Sequence, residues 1–364
     1  MKNTAILTSI SGEPVRTREQ WEQFRRPEIL TLFREYVYGR RAVERPDGMT
    51  FAVSQRVEGY DGQPIVYEKL TIRIGAYAFD VHGYLPEQAQ SIPSFVYVMH
   101  EFQEKNSDFA HMAENSFVPV GQITARGYGV FILPTSGIYP DWEHKDHYRS
   151  GVFAAFGPAP DKRTGSDWAT IAAWSWGASR VMDYLETDER IDRANVAVVG
   201  HSRGGKTAFW CAANDPRFAL AISNASGCMG AAFLDGKTGE HIKDINCTDW
   251  FCGNFRNFND HEELLPVDQH MLLAALAPRL AYVESCSEDD WSDPAAERRS
   301  CRMASEVYEK IYGIPGAVLP EEPIPLNTPY HAGNIGYHMK EGAHSISAYD
   351  WEQYIDFWDE KRGK

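Results

Sequence analysis

The sequence predicts an α/β protein: a doubly wound, mostly parallel sheet with helices on both faces and long loop insertions. Three observations point there. Short apolar runs at residues 95–99, 130–133 and 196–199 are unbroken by polar residues, as expected of strands covered on both faces. Longer segments with helical apolar spacing lie between such runs, for example at residues 167–185 and 295–312. The strict alternation of the two, with no internal repeat or low-complexity tract, is the pattern of crossover connections in a parallel sheet.

Taken in order, the elements begin with a helical N-terminal extension over about residues 1–50. Thr17-Arg18-Glu19-Gln20 has the form of a capping box, which starts a helix. Trp21, Phe24, Ile29, Leu30, Leu32, Phe33 and Tyr36 then trace a helix face, and Pro27 predicts a break or restart within it. Leu70, Ile72 and Ile74 alternate with polar residues, and Phe79, Val81 and Leu85 alternate in the opposite phase. Together they predict a hairpin turning near Gly75. After the strands at 95–99 and 130–133 comes the helix 167–185, with Trp168, Ile171, Ala172, Trp174, Ala178, Val181, Met182 and Leu185 on its apolar side. The alternation continues through strand 196–199, helix 205–213, strand 220–223, helix 271–277, strand 280–283, helix 295–312, strand 335–339 and helix 348–358. Residues 139–162 and 228–266 are long, weakly periodic and rich in Gly, Asp and Asn. Insertions of that length in a compact domain are functional or lid-like. One domain over residues 1–364 accommodates the whole pattern.

Composition narrows the function. The 364 residues carry 36 Lys plus Arg against 51 Asp plus Glu, a formal charge of −15, with 43% hydrophobic and 13% aromatic residues. That is ample for a core and excludes dominant disorder. The acidic balance and the lack of a basic stripe argue against a nucleic-acid partner. No apolar run is long enough to span a membrane. The first residues lack the apolar region of a secretory signal, so the chain is expected to be cytoplasmic, or secreted with its signal already removed. Cysteines stand at 211, 228, 247, 252, 286 and 301. Cys247 and Cys252 lack a second pair at zinc-site spacing, and structural thiols or one local disulfide are expected instead of a metal.

The chemistry concentrates where the strand Asn195-Val196-Ala197-Val198-Val199 runs into Gly200-His201-Ser202-Arg203-Gly204-Gly205-Lys206 and a helix follows. This is a G-x-S-x-G turn in its strand–turn–helix context, which lifts a serine hydroxyl above the sheet edge and aims helix-start N–H groups at a developing oxyanion. Gly200 to Thr207 also fits the phosphate-loop pattern G-x-x-x-x-G-K-T. That reading requires a later strand ending in a magnesium-binding aspartate, and the best candidate, Ala231-Ala232-Phe233-Leu234-Asp235, lies in a Gly-rich insertion. A hydrolase with this turn requires an acid and then a histidine downstream. His344 follows the last strand and is the candidate base, whereas His338 lies inside that strand and reads as packing. After strand 280–283 the segment contains Glu284, Glu288, Asp289, Asp290 and Asp293. Glu284 is still close to the strand, and Asp293 before Pro294 reads as a helix cap. Spacing does not separate Glu288, Asp289 and Asp290.

The turn Gly200-His201-Ser202-Arg203-Gly204-Gly205-Lys206 is similar to the G-x-S-R-x-G-K turn of glucuronoyl esterases, carbohydrate esterase family 15, α/β-hydrolases whose bacterial branch the chain resembles over nearly its whole length. Further matches are Arg25-Arg26-Pro27-Glu28-Ile29, Tyr36-Val37-Tyr38-Gly39-Arg40, Ser223-Asn224-Ala225-Ser226-Gly227-Cys228, Leu265-Pro266-Val267-Asp268-Gln269-His270 and Ala277-Pro278-Arg279. The resemblance implies that Arg203 helps to stabilise the oxyanion and that Lys206 contacts the uronate sugar. It favours Asp289 as the acid and makes Trp291 a sugar contact. Two departures stand out. The fungal branch places its acid where this chain has Ala225, and bacterial relatives carry an Asn-Phe-x-Gly-Asn run where this chain reads His100-Glu101-Phe102-Gln103-Glu104-Lys105-Asn106.

The expectation is therefore a serine esterase acting on a carbohydrate ester, most simply a 4-O-methyl-glucuronoyl ester joining glucuronoxylan to a lignin alcohol, without cofactor or metal. A carbohydrate deacetylase such as an acetyl xylan esterase is the alternative within the same chemistry. A non-catalytic carbohydrate-binding protein is the alternative outside it. Asp141-Trp142-Glu143-His144-Lys145-Asp146-His147 reads as a solvated loop and not a metal site, and Arg203 with Lys206 as a local positive pair on an acidic chain.

Overall fold

The computed structural model describes residues 5–141, 147–246, 248–321 and 323–364. Among these residues, nine strands form one sheet in the order β1-β2-β3-β5-β4-β6-β7-β8-β9. They are β1 (Met49–Val57), β2 (Ile65–Ile74), β3 (Tyr77–Pro86), β4 (Ile92–Met99), β5 (Gly129–Pro134), β6 (Ile191–His201), β7 (Leu220–Asn224), β8 (Leu280–Cys286) and β9 (Ile335–Lys340). From β5 through β4, β6, β7 and β8 to β9 every pairing is parallel. The ribbon β1–β2–β3 is antiparallel and joins β5 through His82, Gly83 and Tyr84.

The apolar density of the central strands follows from burial on both faces. In β4, Val96 and Val98 enter the core on one side of the sheet, while Phe95, Tyr97 and Met99 enter the core on the other, the two-residue period of a pleated strand. The first core takes the helices Thr170–Leu185 and Arg203–Asn214. The second takes the C-terminal helix Ala348–Arg362, whose Trp351 and Trp358 meet Phe95 edge-on at 5.2 and 5.0 Å.

Two elements differ from the sequence reading, each for a physical reason. Strand β1 was not expected: its side chains are nearly all exposed, so no alternation marks it, and its backbone pairing to β2 alone defines it. The helix Thr170–Leu185 begins later than residue 167 and is buried on every side, not one. The sheet covers one face and the N-terminal extension another: Arg41 Nη2 donates to Ser175 Oγ at 2.8 Å, and Trp176 Nε1 to the Glu44 carbonyl at 2.9 Å. Its polar residues survive burial by pairing, Arg180 with Asp183 and Asp183 with Arg217 at 2.7 Å. The N-terminal helix restarts at Pro27 as expected: the capping box Thr17–Gln20 forms, a widened turn spans Trp21–Arg25, and the α-helix resumes over Arg26–Tyr36 with Pro27 in its first turn. The hairpin turns at Gly75 as expected, with φ +59.

Cys211, Cys228, Cys252, Cys286 and Cys301 are free, buried thiols. Cys247, the other member of the expected local pair, lies outside the described residues.

Candidate active site

The parallel strands all end at the same edge of the sheet, and there β6 passes into the turn at Ser202. This residue has φ 56 and ψ −123, a conformation that L-residues avoid and that is held only where the surroundings fix it. The surroundings do so by close approach. A Cβ at Gly200 would sit 2.3 Å from the Gly204 carbonyl group, and one at Gly204 would sit 2.8 Å from the Val98 carbonyl. The helix Arg203–Asn214 can therefore press against β4 and β6 only with glycine at both positions. The Ser202 N–H donates to the Asn224 carbonyl at 2.8 Å, and the Ser202 carbonyl accepts from Gly205 and Lys206.

His344 and Asp289 meet as the spacing and the resemblance together suggested. His344 Nδ1 donates to Asp289 Oδ2 at 2.6 Å, which leaves Nε2 as the face available to Ser202. Burial alone would raise the Asp289 carboxyl, but hydrogen bonds from His344 and Ser292 hold it below the ordinary aspartate value. Burial also separates the three acids that spacing could not: Asp289 is buried, whereas Glu288 and Asp290 are exposed. Asp293 caps its helix, accepting from the Ala296 N–H at 2.9 Å, and His338 is buried between Tyr282 and Asp350.

The two cations beside Ser202 are not a free positive pair. Arg203 Nη1 donates to Asp141 Oδ2 at 2.6 Å, and its guanidinium lies 4.7 Å from the centre of the Trp250 ring, whose Nε1 donates to Asp141 Oδ1 at 2.8 Å. One buried carboxylate thus fixes both the arginine and the ring on which it stacks. This corrects the reading of residues 141–147 as a solvated loop: Asp141 is buried in the site, while residues 142–146 lie outside the described residues. Lys206 is buried too, donating to the Cys228 carbonyl at 2.5 Å and to Glu240 Oε2 at 2.9 Å. Glu240 Oε1 accepts from Trp291 Nε1 at 3.2 Å, so one carboxylate links the lysine to a ring that is 55% exposed. With its ammonium committed to Glu240, and residues 231–235 not forming a strand, Gly200 to Thr207 is not arranged as a phosphate loop.

A cavity of about 490 Å³ brings these groups together, lined by Ser202, Arg203, Lys206, Asp289, Trp291 and His344 along with Glu240, Trp250 and Ala225. Asp141, Glu240 and Trp250 were missed by sequence reasoning. Their only signal was membership of the two long insertions, and nothing in the local pattern marks which acid would face the site. Following β4, Glu101–Lys105 forms a short helix in which Glu101 Oε2 accepts from the Asp141 N–H at 3.0 Å and Gln103 donates to Tyr97. His100 precedes it, buried, and that burial together with the nearby Arg203 holds its imidazole well below the ordinary histidine value.

Residues 163–312 match the family model described as fungal glucuronyl esterase. A carbohydrate esterase designated MZ0003, from an unknown prokaryotic organism, is 34% identical over 97% of this chain and 88% of its own length. A glucuronoyl esterase from Solibacter usitatus has a solved structure that superposes with a TM-score of 0.87 at 33% identity, over 98% of this chain and 96% of that one. A promiscuous esterase of carbohydrate esterase family 15 from a marine bacterial metagenome superposes with a TM-score of 0.82 at 34% identity, over 97% and 95% of the two chains.

Proposed function

We propose, from the premise that this chain belongs to carbohydrate esterase family 15, the glucuronoyl esterases, that it hydrolyses 4-O-methyl-glucuronoyl esters of lignin-type alcohols through an acyl-enzyme on Ser202. The observation that carries the reading is the cavity itself. Its lining includes a serine held in a strained turn and a histidine bonded to a buried aspartate together with Lys206, Glu240 and Trp291, which supports the reading.

In this reading His344 Nε2 takes the Ser202 proton as Oγ attacks the ester carbonyl, and Asp289 holds the imidazole in the Nδ1–H tautomer and stabilises its charged form. The oxyanion is met by the helix-start N–H of Arg203 and by its guanidinium. Collapse expels the alcohol, which takes its proton from His344. Water then attacks the ester on Ser202 by the same route in reverse. The sugar lies against Trp291, with Lys206 and Glu240 toward its hydroxyls. An ester carbonyl carries no charge, and the pairing of Lys206 with Glu240 suits a neutral sugar better than a free carboxylate.

A deacetylase would use the same serine, histidine and aspartate, so the substrate and not the triad separates the two readings. Hydrolysis of benzyl glucuronate and of 4-nitrophenyl acetate by the wild type and by Ser202→Ala tests the reading. Turnover of both or of the uronate alone, abolished by the substitution, is expected. Acetate turnover alone would sink the uronate assignment, and no turnover of either would favour a binding protein.

A further inference from the structure

Beneath His344 lies a buried polar group that the reaction as described does not use. His201, Asn224, Glu284 and His338 occupy one row across four adjacent strands, paired in register His201↔Asn224, Asn224↔Glu284 and Glu284↔His338. A row of four polar residues inside a buried sheet is costly unless every member is paired. Most of the pairing is visible. His201 Nδ1 donates to Asn224 Oδ1 at 2.5 Å, Asn224 Nδ2 to the Tyr354 hydroxyl at 2.9 Å, and His338 Nε2 to Asp350 Oδ1 at 2.9 Å.

At the centre sits Lys340, the last residue of β9. Its ammonium is 2.5 Å from Asp350 Oδ2 and 3.7 Å from Glu284 Oε1, and it donates to the Ser345 carbonyl at 2.8 Å. Glu284, His338 and Asp350 could by their spacing hold a metal ion, but the lysine supplies the cation there itself. Ser345 directly follows His344. The Cys286 thiol reaches the same carbonyl at 3.6 Å, and Asp350 also accepts from the Ser347 N–H at 2.7 Å. The segment carrying the histidine is thus pinned from below by a buried charge, while Asp289 holds the ring from the side. The ring of His201 lies 4.4 Å from that of His344, which closes the contact between the row and the site.

We propose that Lys340 is a positioning residue for His344, fixing its backbone through the Ser345 carbonyl. The proposal rests on the reading of His344 as the general base. Asp289 from the loop after β8 and His201 from β6 lie against the His344 ring, His100 from the end of β4 lies close by, and Arg203 lines the same cavity. The groups around Lys340 are Glu284 and Cys286 from β8, His338 from β9, His201 from β6, and Asp350 from the C-terminal helix. Burial and the neighbouring Asp350 push the Glu284 carboxyl well above its ordinary value. Asp350, against its own burial, is held low by His338 and Lys340. Lys340 and Asp350 carry opposite charges in direct contact, so removing both leaves the net charge of the cluster unchanged.

Lys340→Met and the charge-balanced Lys340→Met/Asp350→Asn test the anchor with and without an unpaired buried carboxylate. In both, kcat is expected to fall about 10- to 100-fold, the scale of a catalytic group displaced by up to an ångström, with KM little changed. Both constants are read on 4-nitrophenyl acetate as well as on the uronate ester. A failure of the uronate reading therefore does not erase the result. A double variant with native kcat, or one whose loss lies in KM, overturns the proposal. So does a double variant that fails to fold, which would make Lys340 a structural residue only.

Discussion

The Asp141 carboxylate makes a quantitative prediction about the oxyanion site. Asp141→Asn keeps the size of the side chain and an oxygen for Trp250 Nε1, but it removes the charge that accepts from Arg203 Nη1 at 2.6 Å. A charge-assisted hydrogen bond of this kind contributes about 1.5–3 kcal/mol. Loss of a whole oxyanion donor costs about 3 kcal/mol, which sets the ceiling for anything acting through Arg203. Asp141→Asn should therefore lower kcat by about 10- to 100-fold with KM little altered, because the guanidinium is needed where charge develops and not where the sugar binds. The assay is a double-mutant cycle on benzyl glucuronate with Asp141→Asn, Arg203→Ala and the two combined. If Asp141 acts by holding Arg203, the combined variant should be no worse than Arg203→Ala alone. Losses that multiply, or a kcat unchanged in Asp141→Asn, would refute the reasoning.

Further outcomes follow from the same geometry. Asp289→Asn should lower kcat by up to about 10⁴-fold, since an amide no longer selects the Nδ1–H tautomer of His344, and an intact rate would exclude Asp289 as the acid. In the folded wild type, Asp289 is held below its ordinary value, so its contribution to stability is present above the unfolded value of about 4 and is lost as pH falls through the folded one. Glu297 behaves oppositely: burial pushes its carboxyl up to about 7, although Ser285 and the N–H groups of Ser226 and Gly227 donate to it. The folded state then loses stability as pH rises from the unfolded value of about 4.3 to about 7. Melting temperatures of Glu297→Gln relative to wild type should accordingly improve between pH 5 and pH 8, and a constant difference would contradict the shift. Gly200→Ala should destabilise the protein by about 3 kcal/mol or more in denaturant unfolding, because the new Cβ meets backbone at 2.3 Å and not a movable side chain.

What the sequence could reveal was set by where the physical constraint lies. Residues 95–99, 130–133 and 196–199 are readable because both faces of those strands are covered, and the Ser202 turn is readable because its glycines answer to close backbone contacts. His344 and the segment holding Asp289 follow from chain order relative to the last two strands. Asp289 itself stood out by resemblance, and burial supplies the reason. Strand β1 escaped because an exposed edge strand imposes no alternation. The helix Thr170–Leu185 looked one-sided because the residues facing the N-terminal extension are polar ones satisfied by partners distant in sequence, such as Arg41. Asp141, Glu240 and Trp250 reach the site from insertions, where no period ties a residue's position to the direction it faces. The same distance in sequence hid the neutralisation of Arg203 and Lys206. Lys340 lay just past the expected strand 335–339, and only the packing of Glu284 and Asp350 around it shows that it is buried.

The central claim is that Ser202 attacks the carbonyl of a uronate ester whose sugar occupies the pocket of Lys206, Glu240 and Trp291. Its most direct test is a crystal structure of Ser202→Ala soaked with the methyl ester of 4-O-methyl-glucuronate. The ester carbonyl is expected above position 202 and within reach of Arg203, with the sugar ring against Trp291 and its hydroxyls toward Lys206 and Glu240. A sugar bound elsewhere, or one whose ester points away from position 202 and His344, would contradict it.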